Sequence, residues 1–144
     1  MQKIIATFLI LTFGILAASG QCGKKVTWTG SKALVLDSGG TVLDSLNDHI
    51  VAETGPDSVK FMHGGREDDA LHGHVQVLSC HWDPNYSRGV TELKGELTEG
   101  DGGTHHAEIR IEGKDGKLTI LLKLVDEDRT RWFKILVDGY QERS

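Results

Sequence analysis

The sequence predicts an all-β domain of eight to ten antiparallel strands, a barrel or a two-sheet sandwich, held by one disulfide. Three observations point there. Apolar residues recur at every second position along most of the chain, while a 3.6-residue period is nearly absent. Glycine- and aspartate-rich turns separate these segments at even spacing, as in closed or layered β-folds. An export signal is followed at once by one of only two cysteines.

The signal comes first along the chain. Lys3 supplies the positive start, Ile4–Leu16 the apolar run, and Ala17-Ala18-Ser19-Gly20 the small residues a signal peptidase needs. The run is too short to span a bilayer. Cleavage is expected after Gly20, leaving 124 of the 144 residues as a single domain, 21–144, that begins Gln21-Cys22. The expected location is secreted or periplasmic. Thiols oxidise there, so Cys22 and Cys80 are expected to pair. Their ring of 59 residues would be worth about 4 kcal/mol on chain-entropy grounds. Two cysteines at that spacing supply neither a C-x-x-C redox pair nor a cysteine-based zinc site.

The clearest strands lie in the C-terminal half. In Thr104–Val125, Ala107, Ile109 and Ile111 alternate with polar neighbours, Gly113-Lys114-Asp115-Gly116 supplies turn chemistry, and Leu118, Ile120, Leu122 and Leu124 alternate again. Arg131–Tyr140 turns Phe133, Ile135 and Val137 to one side. Val90–Leu97 turns Leu93 and Leu97 inward, and Leu71–Ser79 does so with Val75 and Val77. Five shorter strands are expected before them: Lys25–Thr29, Ala33–Asp37, Thr41–Leu46, His49–Glu53 and Ser58–Met62. The breaks fall at Gly30-Ser31, Ser38-Gly39-Gly40, Asn47-Asp48 and Gly55-Pro56-Asp57. Thr41–Glu53 also reads as one bent strand or as a short helix capped at Ser45.

The segments Gln21-Cys22-x-Lys24-Lys25-Val26-Thr27-Trp28, Cys80-x-Trp82 and Ile109-x-Ile111-Glu112-Gly113-Lys114-Asp115-Gly116-Lys117 resemble a family of small exported bacterial proteins of unknown function. The likeness extends over most of the mature chain and implies no activity.

The mature chain carries 15 basic against 21 acidic side chains, a net charge of −6. This argues against nucleic acid or an anionic membrane as partner, since both reward a clustered basic face. No apolar run after the signal approaches membrane length. Nucleophilic catalysis lacks its elbow motif, and the acid pairs lie in turns or on polar faces, so no catalytic residue is assigned.

Histidine is the one chemically versatile residue in excess. His72 and His74 flank Gly73 on one strand and so share a face. If Val77 faces Leu93 and Gly95 faces Ala107, then His74, Glu96 and His106 line up across three strands. With His72 they form a candidate zinc or copper site; a polar, solvated face is the other explanation. Trp82 and Tyr86 either cover the disulfide and close one end of the core or form a stacking platform for a ligand.

The last hairpin, paired as Leu124 with Phe133 and Leu122 with Ile135, sets Leu121 against Leu136 and Val125 against Trp132 on the outer face. That strip is a candidate interaction surface, covered by the N-terminal strands or by another molecule. The expectation is an exported, non-catalytic binding or structural module whose partner is an unknown protein or small molecule. The alternative is a metal-binding protein or metal-dependent enzyme built on the His/Glu cluster.

Overall fold

Alternation turns one face of most strands to a common interior, and the chain closes that interior completely. The computed structural model describes residues 22–143, so the expected signal segment and Gln21 lie outside the described residues. Eight strands follow one another: β1 (Lys25–Leu36), β2 (Val42–Thr54), β3 (Ser58–His63), β4 (Leu71–Trp82), β5 (Gly89–Thr98), β6 (Thr104–Lys114), β7 (Lys117–Val125) and β8 (Thr130–Arg143). Each pairs antiparallel with the next, and β8 pairs back onto β1 to close an up-and-down barrel. A barrel is thus found, and the two-sheet sandwich is not.

Of the four short N-terminal strands expected from the sequence, Lys25–Thr29 and Ala33–Asp37 are one long strand, and Thr41–Leu46 and His49–Glu53 are another, the single bent strand Thr41–Glu53 that the sequence also offered. Gly30-Ser31 and Asn47-Asp48 lie opposite each other within the β1–β2 pair. From Gly30↔Ile50 to Lys32↔Asn47, β1 advances two residues while β2 advances three. The polar and glycine residues there mark a bulge, which bends a continuous pair and increases its twist, instead of a turn that reverses it. A second bulge in β2 falls at Leu43, between Val35↔Asp44 and Leu36↔Val42. The β6–β7 connection is the two-residue turn that its sequence announces: Asp115 and Gly116 take φ of 53° and 78°, the left-handed pair a tight hairpin requires.

The interior is stacked in layers. Val77, Leu93, Ile109, Leu122, Phe133 and Val35 form one ring of neighbours; Thr91, Ile111, Ile120, Ile135 and Ala33 form the next. Leu97 and Ile120 have no exposed surface at all. Close approach of β4 to β5 depends on two inward glycines. A Cβ on Gly73 would sit 1.9 Å from the Glu96 carbonyl oxygen, and one on Gly95 would sit 2.1 Å from that of His74.

One end of the barrel is sealed by aromatic rings. Trp28, Trp82 and Tyr86 pack with centroids 5.2 to 6.1 Å apart, and Tyr140 joins Tyr86 at 4.6 Å. The turn Pro84–Tyr86 carries Tyr86 inward over the opening. Room for it comes from Gly113, whose Cβ would meet the Trp82 ring at 2.8 Å and the Tyr86 carbonyl oxygen at 3.0 Å. Every polar handle in this lid is used: the Trp28 and Trp82 indole N–H groups donate to the Thr54 and Thr91 hydroxyls, and the Tyr86 hydroxyl donates to Glu142. Cys22 and Cys80 are bonded beside it, with Cα atoms 5.9 Å apart. The space enclosed under the lid is about 30 Å³, enough for a water or two and too small for an organic ligand.

Candidate functional site

With the interior filled, chemistry is left to the outer wall and the two ends. The register predicted for the middle strands is the register found: Val77 pairs with Leu93 and Gly95 with Ala107. Ser58, His74, Glu96, His106, Val125 and Thr130 therefore stand in one row across β3 to β8. His106 Nδ1 lies 3.5 Å from Glu96 Oε1, and both side chains are exposed. A shallow depression on the outer face is lined by His74, Glu96, His106 and Val125. His72 lies two residues along β4, between Lys60 and Thr98.

Among the described residues no three His, Cys, Asp or Glu side chains converge as a metal ion requires. The physical reason is spacing. Adjacent strands are about 4.8 Å apart, so His74 and His106 stand roughly 10 Å apart across Glu96, and the convex wall points their rings outward.

The C-terminal hairpin is two residues out of the expected register. Leu122 pairs with Phe133 and Ile120 with Ile135, because the turn spans only Asp126–Arg129. A slip of two keeps every face and changes every neighbour. Leu121 faces Lys134 and Arg110, Val125 faces Thr130 and His106, and Leu136 faces Thr119 and Lys32. Trp132 lies between Lys123 and Leu36, with the Lys123 ammonium 4.7 Å from its ring centroid. Each of the four is half-buried; Leu121, Val125 and Leu136 have polar or charged neighbours across the strands, and Trp132 has Lys123 on one side and Leu36 on the other. The N-terminal strands do not lie over them; they complete the wall edge to edge.

Around these residues the wall alternates charge. Lys123 bonds Glu108 at 3.0 Å, and Arg110 bonds both Glu92 and Glu112. Apolar inside and charged outside is the reverse of a lipid-spanning barrel. No helix among the described residues is long and apolar enough to cross a membrane.

Sequence reasoning missed a second cluster, at the end opposite the disulfide. His105 Nδ1 bonds the Asp126 carboxylate, and its Nε2 lies 3.2 Å from Glu99 Oε1. Arg131 Nη2 lies 3.5 Å from Glu99 and 3.6 Å from Asp126. The four groups join the β5–β6 turn to the β7–β8 turn. The signal was present in the sequence: if His106 points out, His105 points in, at a strand start level with the acidic turn. The hydrogen bond from His105 to Asp126 raises the histidine pKa above 6.5 and lowers that of Asp126 below 3.8, one interaction seen from its two partners.

The histidine contribution is fully present below its unfolded value and is lost as pH rises through the raised folded value. The aspartate contribution is present above its unfolded value and is lost as pH falls through the lowered one. His105→Gln should therefore reduce the thermal midpoint most below the ordinary histidine value of 6.5, with a difference from wild type that shrinks as pH rises through the raised value. A difference that grows with pH would contradict the pairing.

At the sealed end, Trp82 and Tyr86 close the core. Tyr86 is only 3% exposed, so it offers no stacking face to a ligand. Burial, with the Glu142 carboxylate beside it, pushes the Tyr86 hydroxyl pKa up.

No family model, no curated protein and no solved structure matches this chain.

Proposed function

We propose that the protein is an exported, non-catalytic binding module that recognises its partner with the outside of the barrel. The observation that supports this reading most is the filled interior. An eight-stranded barrel has room for either its own side chains or one small ligand, and here the side chains and the aromatic lid take that room. Export rests on the signal pattern and on the bonded cysteines, which suit an oxidising compartment.

A second reading, a zinc or copper site on the wall, is favoured by the row His74, Glu96 and His106. One preparation tests both. Protein exported with its own signal, freed of metal by chelation and then given zinc or copper, should begin at Gln21 and retain no stoichiometric metal. Stoichiometric metal lost in both His74→Ala and His106→Ala would replace the binding module with the metal site. An uncleaved N-terminus would remove the export reading.

A further inference from the structure

One groove on the outer wall gathers positive charge on an otherwise acidic chain. Its volume is about 640 Å³, and it runs from the ends of β8 and β1 across the β2–β3 turn to β4. Lys25 and Arg143, directly opposite each other on β1 and β8, stand at one end. His72 and His74, two residues apart on the outer face of β4, stand at the other, with Lys60 of β3 beside His72. Like charges directly opposite are unfavourable, and an anion set between them removes that cost.

Thr27 is an independent sign of a ligand. It alternates with the inward Val26 and Trp28, so its hydroxyl lies on the outer face with Lys25, where the residue lines the groove. Thr27 is only 9% exposed, and its hydroxyl has no hydrogen-bond partner among the described residues. A buried hydroxyl is costly to leave unpartnered.

We propose that this groove binds a phosphate group between Lys25, Arg143 and the Thr27 hydroxyl. Phosphate carries nearly two negative charges at neutral pH and three strong acceptor oxygens, which suits two opposed cations and a hydroxyl donor. Lysine and arginine can only donate, and an imidazole N–H donates whether or not the ring is protonated. Glu53, opposite Thr27, and Glu67, bonded to Lys60 at 3.0 Å, limit the ligand. With three cations against two acids, the groove suits one phosphate and disfavours a polyanion. Its volume is that of a small-molecule site, so the group can be the free ion or an ester on a small molecule. The inference rests on the binding-module reading and names a ligand class for it. That reading is judged separately, by the N-terminus and the metal content.

Titration with inorganic phosphate and with glucose 6-phosphate, at fixed pH and ionic strength and followed by amide NMR, is the test. Saturable shifts should appear at Lys25–Thr27 and at His72–His74. Tighter binding of the ester assigns the site to a phosphorylated small molecule, and tighter binding of inorganic phosphate to the free ion. Lys25→Ala and Thr27→Val should each weaken binding about tenfold, whereas Lys94→Ala, on β5 outside the groove, should not. Thr27→Val keeps the side-chain shape and removes an unpartnered hydroxyl, so without phosphate its thermal midpoint should match or exceed the wild type's. No saturable shift with either probe overturns the inference. So does undiminished affinity in Thr27→Val, or equal weakening in Lys94→Ala.

Discussion

Replacing Cys22 and Cys80 together by serine should lower the free energy of unfolding by about 4 kcal/mol, read as a shift of the urea midpoint. Cross-linking restricts the unfolded chain more than the folded one, and the ring closed here is long, with a sequence separation of 58. Cys22 precedes the first strand and has no ladder of its own, so the bond is what ties it against the lid. The fold should survive the loss, because β1 remains hydrogen-bonded along both sides, to β2 and to β8. A midpoint within error of the wild type would mean that the unfolded chain already holds these ends together.

Ile120→Ala should cost roughly 2–5 kcal/mol by the same measurement. Ile120 has no exposed surface and lies between Ile111 and Ile135 in the layered interior. Removing its three outer carbons loses their transfer free energy and leaves a void that a closed wall cannot collapse to fill. Leu43→Ala is the control. That side chain is 65% exposed in a bulge, so its loss should stay within about 0.5 kcal/mol. Equal costs at the two positions would show that the inward face has been assigned wrongly.

The inward face was legible because it follows from alternation alone. Leu93, Ile109, Ile120 and Ile135 all lie where a period of two sets them. The middle registers were legible too, since short connections between well-patterned strands leave few choices, and Val77↔Leu93 was one of them. What escaped depended on distances that no local pattern encodes. Gly30 and Asn47 have turn composition, yet each is compensated by an irregularity in the strand opposite, and only the pairing reveals a bulge. The length of the Asp126–Arg129 turn decided whether Trp132 would meet Val125 or Lys123. His105 was overlooked because its partners Glu99 and Asp126, and the Arg131 that pairs with both of them, come from two turns and the start of β8, which meet only once the barrel has closed.

Closure by β8 onto β1 also sets Lys25 opposite Arg143, so the two ends of the described chain leave the barrel side by side. With each strand bonded to its neighbours in sequence and the last bonded to the first, the wall has a cyclic order and no intrinsic starting strand. A short linker between the ends and a cut in any exposed turn, such as Asp101–Gly103, would give a chain that begins elsewhere and encloses the same interior. Where this protein begins is thus a property of its gene, and the barrel itself is indifferent to it.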